Sequence, residues 1–244
     1  MEFIQTVLSV VVVLILLYFI IDWLFRNSNQ LTRMSDGNVK QTILANTLPS
    51  NNNSSNFTYS TWFYVNDWNY RFGEPKILLG RTDENNNPSP SIVFDAMENN
   101  ITISVSCYGQ SPHLGDKENN SNKSQTMVHE CNVKNFPLQK WVNLLISVYG
   151  RTLDVYIDGK LVRTCLLPGV TKVNPKSNIE VTPNGGFNGW TSNFMYWDHS
   201  TNPQEAYNIY KNGFGGSILG NLFNKYRIKF ALLTDNKEVG SFEV

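Results

Sequence analysis

Residues 3–21 carry no charged side chain and are dominated by Val, Leu and Ile. At 1.5 Å per residue such a run reaches about 28 Å as a helix, or about 34 Å if it continues through Asp22, Trp23, Leu24 and Phe25, which matches the hydrocarbon core of a bilayer. A helix buried in a soluble core rarely needs so much apolar length. A cleaved signal peptide would want a basic start, a shorter apolar core and small residues at the cleavage site. Here Glu2 is acidic and residues 18–25 are bulky. The expectation is a single uncleaved transmembrane anchor over residues 1–26, with Tyr18, Trp23 and Phe25 as an interfacial aromatic belt and Arg26 as its basic flank.

Flanking charge gives an expected orientation. Arg26, Arg33 and Lys40 follow the span, whereas only Glu2 and the terminal amine precede it. Basic flanks stay cytoplasmic, so the C-terminal part is expected on the cytosolic side, although Asp22 and Asp36 dilute the signal.

About 215 residues remain, enough for one domain with a single core. The formal net charge is zero. With no basic cluster tighter than Lys225, Arg227 and Lys229, the chain lacks the stripe that a nucleic-acid binder needs. Asparagine is abundant and clusters at residues 51–53, 85–87 and 119–122, which read as solvated turns. The same bias generates N-glycosylation acceptor patterns at Asn52, Asn53, Asn56, Asn100, Asn119 and Asn122 by chance, so they argue little for secretion. Cys107, Cys131 and Cys165 are odd in number and lack metal-ligand spacing. Buried free thiols are the default expectation, a Cys107–Cys131 bridge the alternative.

Residues 27–56 read as a polar stalk with a short strand near 39–44. Regular structure is expected from Phe57: Phe57, Tyr59, Thr61, Phe63 and Val65 alternate with Thr58, Ser60, Trp62 and Tyr64, and both sets carry bulky or β-branched side chains, as in a strand covered on both faces. Further strands are expected at 76–80, at 91–96, and at Ile101, Ile103, Val105 and Cys107 after an Asn99–Asn100 turn. The clearest pattern runs from 141 to 167. Val142, Leu144, Ile146 and Val148 share a face, Tyr149 and Gly150 turn the chain, and Leu153, Val155 and Ile157 resume the alternation. Asp158 and Gly159 then suit a two-residue hairpin whose central positions need positive φ. A last core strand is expected at 192–197. One soluble helix is well marked, with Asn202 as N-cap, Pro203 at its first position, Glu205 closing a capping box and Gly213 as its stop. Ala206, Ile209 and Tyr210 would face the sheets. Residues 217–244 read as an added hairpin, 226–233 against 237–244.

Many short strands and little helix imply an all-β, two-sheet sandwich or jelly roll. The segments FTYSTWFYVNDW (57–68), FPLQKWVNLLISVYGRTLDVYIDGKLV (136–162) and GGFNGWTSNFMYW (185–197) are more specific. Their order resembles the concanavalin A-like, laminin-G-type jelly roll: a Trp that opens a strand after a Pro-Leu loop, an Asp-Gly hairpin, then a Gly-rich segment leading into a late strand and short helix. The resemblance covers the core domain at 57–216 and begins as early as residue 42. It is nearest to versions in large DNA viruses of algae and protists, where one N-terminal span precedes the domain. That resemblance implies a minor capsid or virion membrane protein, with the bilayer and capsid proteins as partners.

Such a fold hosts lectins, glycosidases and plain interaction modules, so residues must decide. Retaining glucanases need two carboxylates about 5 Å apart on one strand. No Glu-x-Asp-x-Glu pattern occurs, Asp154 and Asp158 read as a strand surface residue and a turn residue, and Asp198–His199 lacks a third positioned group. The expectation is no catalysis, no cofactor and no metal, since no compact Asp/Asn ligand run is present. Residues 213–216 follow a helix and lack the Lys and Ser/Thr of a phosphate loop. The candidate binding residues are Trp68 with Asn69 and Tyr70, and Trp190 with Asn188, because flat rings beside amides suit glycans. Two functions follow: a non-enzymatic tether between an internal membrane and a protein shell, or an anchored lectin-like surface protein.

Overall fold

The computed structural model describes residues 2–24, 30–49, 55–109, 126–215, 229–234 and 237–243. The chain divides into two compact units, Asn29–Lys211 and a second made of Met1–Ser28 with Asn212–Val244.

In the second unit, Glu2–Leu24 forms one α-helix, α1, of 23 residues, about 34 Å long at the standard rise. Tyr18 is 49% exposed. Its side chains are described without interruption only over residues 11–20, all exposed, and among the described residues no helix is long and apolar enough to cross a membrane. Phe25, Arg26 and the side chain of Trp23 lie outside the described residues. The expected C-terminal hairpin is present as an antiparallel pair, Lys229–Thr234 against Lys237–Glu243.

The larger unit is the sandwich. Its strands are β1 (Ser35–Asp36), β2 (Gln41–Ile43), β3 (Phe57–Asp67), β4 (Lys76–Thr82), β5 (Pro88–Phe94), β6 (Ile101–Tyr108), β7 (Thr126–Val133), β8 (Trp141–Tyr149), β9 (Thr152–Ile157), β10 (Lys160–Leu166), β11 (Ile179–Val181) and β12 (Asn188–Trp197), followed by the helix α2 (Pro203–Lys211). One sheet runs β1-β12-β3-β8-β9-β10 and the other β2-β11-β4-β5-β6-β7.

Alternation sets the core. Opposite each other on β3 and β8, Phe57 pairs with Val148, Tyr59 with Ile146 and Phe63 with Val142, all buried in the inter-sheet cluster. From the other sheet Phe94, Ile101, Ile103 and Val105 fill the same layer. The Asp158–Gly159 turn has φ of 50° and 72°, the double positive φ that a two-residue hairpin requires.

Both faces of the first sheet are used. Against its outer face α2 packs Ala206 and Ile209 onto Leu145 and Tyr156, and Tyr210 stacks on Trp62 with centroids 5.5 Å apart. The helix starts where the capping pattern puts it: the Glu205 N–H donates to Asn202 Oδ1 at 2.9 Å, and the Asn202 N–H donates to Glu205 Oε2 at 3.0 Å. Two buried hydroxyls fix the approach, since Thr58 Oγ1 donates to the His199 carbonyl and Ser147 Oγ accepts the Thr201 N–H.

Two expectations need correction. Residues 30–49 are more than a polar stalk: the short strand expected near 39–44 is present as β2, which pairs with β11, while β1 pairs with β12 and the Leu31 N–H donates to the Phe194 carbonyl. Backbone pairing, invisible in a polar composition, draws this segment into both sheets. One strand is not foreseen in the sequence: β7 pairs along its length with β6. Its residues lack clean alternation because β7 is an edge strand with an exposed outer side. Finally, the thiols are not all free. Cys131 and Cys165 form a disulfide, and Cys107 is the buried free cysteine.

The bridge depends on a bulge. In the β9–β10 hairpin Leu161 faces Tyr156 but Arg163 faces Val155, so Val162 has no partner of its own. That one-residue insertion turns Arg163 and Cys165 from the outer to the inner face of the sheet. Cys165 then lies opposite Leu153 and meets Cys131 across the sheets.

The core also holds a cation. Arg81 is 2% exposed. Its Nε donates to the Ser177 carbonyl, Nη1 to Tyr59 Oη and Nη2 to the Asn174 carbonyl. Hydrogen bonds to neutral groups make such a buried charge tolerable. Burial pushes the Tyr59 phenol up to about 12, despite the nearby Arg81 charge, which acts the other way.

Candidate functional site

Outside the footprint of α2, the outer face of the first sheet carries a row of three aromatic rings. Tyr64 on β3 lies opposite Trp141 on β8 and opposite Trp190 on β12. Centroids are 5.8 Å apart for Tyr64–Trp141 and 5.5 Å for Tyr64–Trp190, each pair tilted by 59°. Directly opposed side chains on adjacent strands come within this range by sheet geometry alone. Trp190 is 38% exposed. Tyr64 and Trp141 are half-buried.

Backbone packing brings Trp190 close. Gly189 has φ of +152°, and a Cβ there would sit 1.9 Å from the Tyr64 carbonyl oxygen. Only glycine lets β12 run this close to β3 just before the Trp. Immediately beyond, the register shifts by one residue, and Asn66 Nδ2 donates to Asn188 Oδ1 at 3.1 Å. Amides thus lie at one end of the row. Trp190 thus belongs to a ring row with Tyr64 and Trp141, and Asn188, two residues before it on β12, bonds Asn66. In sequence Tyr64 and Trp141 each read only as a strand residue. Their membership of one row follows from cross-strand register, for which a single segment carries no signal.

Trp68 does not join that row. Its ring packs against Phe94 and Phe136 at 6.4 and 5.8 Å, and its Nε1 donates to the Met97 carbonyl at 3.1 Å. One face is occupied by Lys76, whose Nζ lies 4.6 Å from the ring centroid. Burial, reinforced by Arg71, pulls the Lys76 ammonium below the usual lysine range. Asn69 and Tyr70 are likewise engaged: the Asn69 N–H donates to Asp67 Oδ1, and Tyr70 Oη donates to the Gly185 carbonyl. In this trio Trp68 and Tyr70 are half-buried and Asn69 is exposed. The sequence signal, flat rings beside amides, is the same for a packed ring as for a glycan site.

The acidic candidates are also engaged. Asp158 accepts the Asn143 N–H on Oδ1 and pairs with Lys140 through Oδ2 at 3.0 Å, while Asp154 accepts Thr164 Oγ1 at 2.6 Å. Asp198 Oδ1 lies 3.2 Å from His199 Nδ1 on the surface. Among the described residues no three His, Cys, Asp or Glu side chains gather as a metal site would need.

Two six-stranded antiparallel sheets, an inter-sheet core and a short late helix define a lectin-like jelly roll. The laminin-G-type family model described as the concanavalin A-like lectin/glucanases superfamily matches residues 36–206, more than half of the chain. The chain belongs to this superfamily. Among solved structures it is similar to the binding domain of botulinum neurotoxin DC in complex with rat synaptotagmin II, at 16% identity and TM-score 0.51. It is also similar to that binding domain in complex with SialylT, at 17% identity and TM-score 0.50. In both cases 74% of this chain covers 42% of the other, so the chain spans less than half of their length. The likeness is one of fold. Comparison with curated proteins finds no match.

Proposed function

We propose that this chain is a non-enzymatic carbohydrate-binding surface module held on a bilayer by α1. The observation that carries the binding role is the row of Trp141, Tyr64 and Trp190 on a sheet face, with Trp190 exposed and the Asn66–Asn188 amides at one end. Rings present flat apolar area that sugar C–H faces cover, and amides orient hydroxyls. The neurotoxin domain in complex with SialylT supports the reading only in that a similar fold carries such a ligand there. Asp158 is held by Lys140 and the Asn143 N–H and Asp154 by Thr164, roles in a turn and on a strand surface that support binding without hydrolysis.

The anchor rests on the 23 residues of α1 and the absence of charge over residues 3–21. Tyr18, Trp23, Phe25 and Arg26 would lie at its interface with the lipid headgroups. The Cys131–Cys165 disulfide supports an oxidising compartment for the sandwich, against the cytosolic placement that the flanking charges imply. Glycan-array binding by the full chain tests the function: binding that falls at least tenfold in Trp190→Ala supports it, and no glycan binding by the wild type overturns it.

A second reading is a tether between an internal virion membrane and a capsid shell, with the sandwich on the cytosolic side during assembly. The hairpin at 229–243, outside the sandwich unit, favours it as a strand-addition element for a shell protein. Deleting residues 217–244 would then lower incorporation into particles; unchanged incorporation would remove this reading.

A further inference from the structure

A groove of about 590 Å³ opens between the edges of the two sheets, next to the disulfide and on different residues from the aromatic row. From one side it is lined by the end of β7 and the loop after it, from the other by β9 and β10. Its apolar lining is Val133, Phe136, Ile157 and the exposed Val162. Lys134 and Arg163 line it as well, as do Asn132 and Asn135, and among the described residues no acidic one does.

Local structure explains how the two cations come to share it. The bulge at Val162 turns Arg163 inward, opposite Val155, at a position where continued alternation would have aimed it away from the space between the sheets. After β7 the chain reverses at Asn135, which has φ of 57° and whose N–H donates to Asn100 Oδ1. The Phe136 N–H then donates to the Asn99 carbonyl, and its ring enters the core. Lys134, just before that reversal, is exposed and lines the groove, while Phe136 just after it is buried. Among the described residues neither the Lys134 nor the Arg163 side chain makes an ion pair or hydrogen bond. Three other surface cations are compensated, Lys40 by Glu180, Arg71 by Glu74 and Lys140 by Asp158.

We infer that this groove binds a small organic anion with an apolar body, its carboxylate or phosphate between Lys134 and Arg163 and its body on Phe136, Ile157 and Val162. The volume lies in the range of ligand sites. A guanidinium offers a fork that fits both anions, and an ammonium adds a point charge. The apolar lining selects against inorganic phosphate and acetate, which would leave it uncovered.

Titration calorimetry with the full chain in neutral-lipid nanodiscs, corrected for empty nanodiscs, tests the site. The probes are 2-naphthoate, 2-naphthyl phosphate, the uncharged 2-naphthamide and acetate. At least one naphthyl anion should bind tenfold or more tightly than the amide and than acetate. A Lys134→Gln/Arg163→Gln variant should lose that preference while binding the amide as before, and Trp190→Ala should leave it intact. A stronger naphthoate arm would identify a carboxylate ligand, and a stronger phosphate arm a phosphate ligand. Equal binding of anion and amide, no binding of either anion, or a preference that survives the double substitution would overturn the inference. Both substituted positions are exposed, and an unchanged thermal midpoint confirms that the variant is folded.

Discussion

Cys131 and Cys165 join the outermost strands of opposite sheets, with Cα atoms 6.1 Å apart and the residues 34 positions apart in sequence. A cross-link at a sandwich edge restrains two elements that share few other contacts, and its entropic effect on the unfolded chain grows with the loop enclosed.

Reduction, or the double substitution Cys131→Ala/Cys165→Ala, should therefore lower unfolding free energy by about 4 kcal/mol for a loop of this length. Urea denaturation with and without reductant measures it. Cys107 should remain unreactive in the folded protein, because it is fully buried and burial raises its thiol pKa. Rapid labelling of one native thiol by a maleimide would contradict that.

Stability should also fall at high pH. The Tyr59 phenol ionises at about 12 when folded and near 10 when unfolded. A folded pKa raised above the unfolded one contributes stability that is complete below pH 10 and lost as pH rises towards 12. Over that window the loss should approach roughly 3 kcal/mol. Tyr59→Phe should flatten this part of the profile while costing about 1–3 kcal/mol at neutral pH, since Arg81 Nη1 loses its acceptor. Denaturant midpoints between pH 8 and 11.5 check both effects.

Trp68 and Trp190 should part company on mutation. Trp68→Ala removes a ring from the Phe94–Phe136 cluster and uncovers Lys76, so it should destabilise by about 3 kcal/mol. Trp190→Ala, at an exposed position, should cost about 1 kcal/mol or less and act on ligand binding instead. Differential scanning fluorimetry beside glycan binding separates the two. Equal destabilisation would place Trp190 among the structural aromatics.

Gly189→Ala should be among the most damaging single changes in β12. Its methyl would meet the Tyr64 carbonyl at 1.9 Å and the Phe187 ring at 3.0 Å. Strand β12 would have to move off β3, at a cost of about 2–5 kcal/mol. The displacement should also change the near-ultraviolet dichroism of the Tyr64–Trp190 pair.

What the sequence by itself determined is local. Residues 2–24 form a helix from an uninterrupted apolar run, and α2 starts at a capping box because Asn202 and Glu205 are three residues apart. Asp158–Gly159 turns a hairpin because both positions tolerate positive φ. The Phe57 and Trp141 strands follow their alternation into the core. These features depend on neighbours within a few residues. Tertiary structure decided the rest. In the polar segment at 30–49 the strand expected near 39–44 is β2, whereas β1 exists only through its pairing with a strand about 150 residues away. One unpaired residue, Val162, aimed Cys165 at Cys131 and Arg163 into a groove. Trp68 packs against Phe94 and Phe136 and Trp190 ends an aromatic row, although both offer a ring within two residues of an asparagine in sequence. Register and burial are set by the long-range pairing of strands, and a one-residue shift reverses which face a side chain occupies.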